Sequence, residues 1–202
     1  MASNRMAVLA AGCVALSAYL WGMAAPAAAS DIVKGTVVLP RDSGSVRNVV
    51  VYLEGAIGTP MPSTVVIDQK GLKFVPHVVA IVKGSTVKFL NSDPVFHNVY
   101  SSSATKRFDL GMFAQGESRN VTFDTPGVVE LRCAVHPKMQ GFVLVLENNY
   151  FTTPDERGDF QIGGVPRGRY KLRAWHEALP AVETWVNLEE AKLRDIELRF
   201  HR

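Results

Sequence analysis

The chain has 202 residues with 22 Lys and Arg against 19 Asp and Glu, a formal net charge of +3. The charges are mixed along its length with no basic block or aromatic-interleaved basic stripe, which excludes an electrostatic nucleic-acid footprint. The length suffices for one large core or two small ones.

Residues 1–30 carry one charge, Arg5, then an Ala-rich apolar stretch from Met6 to Met23, Pro26, and the small residues Ala27-Ala28-Ala29-Ser30. This pattern predicts a secretory signal cleaved after Ala29 or Ser30, so that the mature chain begins near Asp31 in the periplasm or outside the cell. The apolar run approaches the ~20 residues of a spanning helix, and membrane association is expected only if the segment is retained. Cleavage removes Cys13 and leaves Cys133 as the sole thiol. A lone Cys in an oxidising compartment needs a bridge, a reactive role or a protecting partner, and ligation of a metal supplies the last.

The following elements read as strands: Thr36 to Leu39, Val49 to Leu53, Thr64 to Ile67, Val78 to Val82, Thr86 to Leu90, Val121 to Phe123, Val128 to Cys133 and Phe142 to Leu146. They are short β-branched or aromatic runs punctuated by Gly, Pro, Asp and Asn, an antiparallel sandwich pattern and not βαβ. Between two of them lies the turn-rich segment Asn91-Ser92-Asp93-Pro94-Val95-Phe96-His97-Asn98.

Directly after the Val128 run comes Cys133-Ala134-Val135-His136-Pro137-Lys138-Met139. A thiolate, an imidazole and a thioether in so short a loop are three of the four ligands of a mononuclear redox copper site, a His₂Cys set with a weak axial Met. His97 is the expected second imidazole. Ligand types alone also suit zinc. Of the other histidines, His77 begins a strand and is expected away from the metal, His176 ends a strand, and His201 lies in the tail; a metal role for His77 or His176 stays open. Met112 and Phe113 read as core or local apolar surface, and Met61 as part of a linking loop.

After Leu146 the texture changes. An acidic turn at Glu156 to Asp159, the segment Phe160-Gln161-Ile162, a tight turn at Pro166 to Gly168, and Tyr170, Leu172 and Ala174 alternating with charged residues predict strands with one buried face. The last strands are expected at Val182 to Val186 and at Ile196, Leu198 and Phe200.

Residues 72–146 resemble the cupredoxin, or blue copper, family. The resemblance rests on His97-Asn98, Cys-x2-His-x2-Met at 133–139, Phe74-x-Pro76, Lys83-Gly84-Ser85-Thr86-Val87-x-Phe89, Gly127 before the Cys strand and Gly141 after the Met. The short ligand loop is closer to amicyanin and pseudoazurin than to plastocyanin. It implies a Greek-key β-sandwich holding one type 1 copper per chain, with His97, Cys133, His136 and Met139 as ligands. It further implies that Asn98 supports them, its backbone N–H directed at the thiolate and its side chain tying the two ligand loops. The implied function is one-electron transfer between transient redox protein partners, without a small-molecule substrate. Copper storage or delivery without shuttling, and a scaffold in which copper is structural, are the rival classes. Enzymatic copper chemistry is not expected, because the chain has no His-x-His pair and only 5 histidines.

The second texture is similar to the carboxypeptidase regulatory-like, or transthyretin-like, β-sandwich, whose pattern includes Phe-x-Ile and Val-Pro-x-Gly-x-Tyr-x-Leu. Its opening strands match Lys34-Gly35-Thr36-Val37-Val38 and Val49 to Glu54. The expected layout is therefore all-β with a signal at 1–30, the regulatory-like sandwich at 31–56 and 148–202, and the cupredoxin inserted at 57–147. Two consecutive domains divided near 147 are the alternative.

Overall fold

The computed structural model describes residues 30–189 and 195–202. The expected signal segment up to Ala29 lies outside these residues, as does part of the charged run at 189–199. Among the described residues no helix is long and apolar enough to cross a membrane.

The architecture is all-β, in two sandwiches. The chain opens with β1 (Ser30–Val38) and β2 (Val50–Glu54), then makes β3 (Thr64–Gln69), β4 (Phe74–Val75), β5 (Val78–Val82), β6 (Ser85–Asn91), β7 (His97–Ser101), β8 (Phe108–Phe113), β9 (Ser118–Phe123), β10 (Gly127–Arg132) and β11 (Gln140–Leu146). It closes with β12 (Phe151–Thr152), β13 (Asp159–Pro166), β14 (Arg169–His176), β15 (Leu179–Asn187) and β16 (Ile196–Arg199).

The first sandwich packs the sheet β4-β3-β6-β9 on the sheet β5-β11-β10-β7-β8. Its core gathers Ile67, Phe74, Ile81, Phe89, Val99, Phe113, Phe123, Leu131 and Val143, together with Cys133 and Met139. The second sandwich packs β13-β1-β16 on β12-β2-β14-β15. Its core includes Val37, Val51, Leu53, Ile162, Leu172, Ala174 and Leu198.

Two findings differ from the sequence reading. Three pairings are parallel, β3 with β6, β5 with β11 and β1 with β16. A short apolar run does not encode the direction of its neighbour, and strands reached by crossing between sheets can return the same way up. Strand β8 also carries no strong apolar run. It is an edge strand, and along it only Phe113 is fully buried.

The run Phe142-Val143-Leu144-Val145-Leu146 lacks the polar alternation of a half-exposed strand, and the fold shows why. Val143 and Val145 face the core of the first sandwich. Phe142, Leu144 and Leu146 face outward into a third apolar cluster with Val50 and Val78, joined by Tyr52, Phe151 and Trp175. The same double burial explains the run Val49 to Leu53, in which Val51 and Leu53 fill the second core while Val50 meets β11. The two sandwiches therefore share a packed interface, and each large apolar side chain buried there contributes roughly 1.5–3 kcal/mol.

His176 ends β14 with 2 % of its surface exposed. Its Nδ1 accepts the Ala178 N–H at 3.2 Å, so Nε2 carries the ring proton, and that atom has no partner among the described residues. Burial pushes this imidazole below the ordinary histidine value; Glu177 opposes the shift and His77 adds to it.

Two outcomes are expected. Leu144→Ala lowers the unfolding free energy by about 2–5 kcal/mol, read as a lower urea midpoint at an unchanged slope, whereas the exposed Val66→Ala stays within about 0.5 kcal/mol. The unfolded chain protonates His176 near pH 6.5 while the folded chain resists, so this residue's contribution is intact above about pH 6.5 and is lost as the pH falls below it. Urea titrations from pH 7.5 to 5 should show a shallower loss of stability in His176→Gln than in the parent.

Candidate metal centre

Strands β10 and β11 form an antiparallel pair with Arg132 opposite Gln140, and the loop Cys133 to Met139 connects their ends. Strand β7 lies beside β10, with Tyr100 opposite Arg132. This register brings His97, the first residue of β7, to the loop that carries Cys133 and His136. Both imidazoles present Nδ1. The Nδ1 atoms are 3.0 Å apart, and Cys133 Sγ lies 3.9 Å from His97 Nδ1 and 3.7 Å from His136 Nδ1. Among the described residues this is the one group of three or more His, Cys, Asp or Glu side chains whose ligand atoms converge.

A point about 2.1 Å from all three atoms lies at the centre of that triangle, within the bond lengths of a first-row metal to imidazole nitrogen and thiolate sulfur. The donor set thus fits one ion in size as well as in chemistry. His97 and Cys133 are 0 % and 3 % exposed, whereas His136 is only half-buried. Met139, 1 % exposed, sits at the end of the same loop, and its N–H donates to the His136 carbonyl at 2.9 Å.

The side chains behind the donors fix their orientation. His97 Nε2 donates to Asp93 Oδ2 at 2.9 Å, which leaves Nδ1 with its lone pair toward Cys133. Asp93 is buried and also accepts the N–H groups of Gly71 at 2.7 Å and Leu72 at 2.9 Å. Burial alone would raise the Asp93 carboxyl, but the two backbone N–H bonds and the His97 ring together outweigh it and hold the group below its ordinary value. Asn91, fully buried, donates through Nδ2 to the carbonyls of Val95 and Phe113 at 2.8 and 3.0 Å and accepts the Asp93 N–H at 2.9 Å. Asn98 Oδ1 accepts the Ala134 N–H at 3.2 Å, tying the His97 strand to the Cys133 loop, while its Nδ2 donates to Asp109 at 2.6 Å.

The sequence reading singled out His97, Asn98, Cys133, His136 and Met139, and the fold gathers the three converging donors with the other two beside them. It did not single out Asp93 or Asn91. The available signal was the spacing Asp93 to His97, four residues within a turn. His77 and His176 stand outside the cluster, as do Met61 and the exposed Met112.

Comparisons with known proteins bear on this site. A profile described as copper binding proteins, plastocyanin/azurin family, matches residues 62–146. Amicyanin-alpha of Methylorubrum extorquens is 33% identical over 96 residues, which cover 46% of this chain and 80% of that protein. The chain belongs to the plastocyanin/azurin family of copper-binding proteins. Solved structures similar to it include a reduced amicyanin variant, 21% identical over 48% of this chain and 98% of that one, with a TM-score of 0.40. A copper-containing nitrite reductase from Thermus scotoductus SA-01 is 23% identical over 56% of this chain and 28% of its own, also at 0.40. Copper is thus the metal that this family and the His, Cys, His group have in common, and the matched residues contain all three donors.

Asp93→Ala removes the acceptor that orients His97. Loss of such an outer partner typically weakens metal binding about 10–100-fold, and competition with a Cu(I) chelator should report a change of that order with the fold retained by circular dichroism.

Proposed function

We propose that the protein is an exported type 1 copper protein that carries single electrons between protein partners, with His97, Cys133 and His136 as the strong ligands and Met139 as the weak axial one. Copper held there supplies a one-electron couple between Cu(II) and Cu(I). The observation that carries the proposal is the donor triangle, already closed to bonding size, with the His97 ring held by the buried Asp93. A set of donors that needs no rearrangement suits both oxidation states, which keeps the cost of electron exchange low.

The residues around the half-buried His136 support a transfer role. Val135 and Phe96 are 47 % and 59 % exposed, and Pro94, Val95 and Pro137 are exposed beside them. An apolar surface at the solvent edge of a ligand suits a small and short-lived encounter, as electron-transfer interfaces generally are.

We further assign the second sandwich to the carboxypeptidase regulatory-like type, formed by 31–56 and 148–202 with the copper domain inserted at 57–147. In support, β1 pairs with β13 and β16, and β2 with β12 and β14. The two crossing points lie together, since Asn148 Nδ2 donates to the carbonyls of Leu53 and Ala56 at 3.0 and 3.2 Å. Close ends are what an insertion requires. The N-terminal pattern at 1–30 supports export.

Titration of the purified protein with Cu(II), followed by optical and electron paramagnetic resonance spectroscopy, tests the reading. One equivalent should produce an intense thiolate-to-copper charge-transfer band that a reductant bleaches reversibly, and Cys133→Ser should abolish it. A colourless complex that survives in Cys133→Ser would overturn the carrier and favour storage or a structural ion.

A further inference from the structure

The corner where β4 turns into β5, residues Phe74 to His77, touches both sandwiches. On its inner side it grips β11 just beyond Met139. A Cβ added at Gly141 would stand 3.0 Å from the Phe74 Cβ and 3.1 Å from the His77 carbonyl oxygen, so any larger residue would push this corner outward by a few tenths of an ångström. The same carbonyl accepts the Phe142 N–H at 2.8 Å. On its outer side the His77 ring is hydrogen-bonded through Nε2 to Glu177 of the second sandwich, whose other carboxylate oxygen accepts Asn48 Nδ2 at 3.3 Å. The Phe142 ring stands edge-on between His77 and Trp175, with centroid separations of 5.7 Å to each.

We propose that Glu177, His77 and Trp175 are positioning residues through which the second sandwich sets the stance of Met139, and with it the electronic character of the copper site. The proposal rests on the ligand assignment given above. An axial thioether is bound weakly and at long range, so the protein rather than the metal decides where it sits, and that position tunes the potential of such sites. The Met139 N–H is fixed by the His136 carbonyl on one side. On the other side the chain is fixed at Gly141 and Phe142 by a corner that Glu177 holds from outside and by a ring that Trp175 backs. Release of either contact from the second sandwich frees the strand that follows the axial ligand while leaving all four ligand side chains in place.

The test uses the full-length copper-loaded protein and the variants Glu177→Gln, Trp175→Leu and Trp175→Phe, with the exposed Trp185→Leu on the same sheet as control. Each is read by the intensity ratio of the thiolate-to-copper bands, by the rhombicity of the Cu(II) resonance and by the reduction potential. In the copper-free protein, amide exchange at Phe142 is read in addition. Glu177→Gln and Trp175→Leu should shift the band ratio and the potential in a common direction and speed Phe142 exchange, Trp175→Phe should restore parental values, and Trp185→Leu should change nothing. His77→Gln combined with Glu177→Gln should shift no further than either alone, as expected of residues acting through one contact. Parental spectra, potential and exchange in Glu177→Gln and Trp175→Phe, with Trp175→Leu shifted only where it also loses stability, would overturn the positioning role and leave the ligand assignment standing. Absence of a thiolate band in the parent would overturn both.

Discussion

A strand with no face left for water has to be covered twice, and β11 is that strand here. Its Val143 and Val145 complete the core around the metal-site loop, and its Phe142, Leu144 and Leu146 require a second apolar layer, which β2 and β14 bring. Exposed to solvent, those three side chains would form a contiguous apolar patch of the kind that soluble proteins hide. The second sandwich is thus part of what lets the copper-binding unit have this sequence, and the contact between them lies on the strand that begins directly after Met139.

The donors themselves are held by a smaller network of a different character. Asp93 is a buried carboxylate, which is costly unless it is paired and hydrogen-bonded. Here two backbone N–H groups and the His97 ring meet it. That arrangement accounts for the odd backbone at the 70–73 turn, where Gly71 and the non-glycine Leu72 both adopt positive φ, 63° and 57°. The left-handed pair points successive N–H groups the same way, toward the carboxylate, and any strain at Leu72 is offset by the bond it makes. Charge, turn and imidazole orientation are one construction.

Much of this was legible in the chain. The Cys133 to Met139 loop announces its chemistry by residue type and spacing, and His97-Asn98 completes it. The runs Val49 to Leu53 and Phe142 to Leu146 read as strands, although only the structure reveals that their missing polar alternation means burial on both sides. The parts that stayed hidden depend on partners far along the chain. Asp93 and Asn91 sit in a segment rich in Asn, Ser, Asp and Pro, where such residues ordinarily mean no more than a turn. Glu177 meets His77 across 100 residues of sequence. Strand directions and the edge strand β8 were equally invisible, since both follow from topology rather than from local pattern.

The pairing of β1 and β2 with β12 to β16 also dictates an order of assembly. A ribosome delivers the amino-terminal strands first, yet β2 finds its neighbours β12 and β14 only after residues 57–147 have been made. Contacts of such long sequence separation form slowly. The metal-binding sandwich, whose partners all lie within the intervening stretch, can close in the meantime, and its finished β11 face then offers Val50 and Tyr52 an apolar surface before their own sheet exists. In that sequence of events the metal-binding sandwich serves as a template, covering β2, which would otherwise wait as a sticky, unpaired edge.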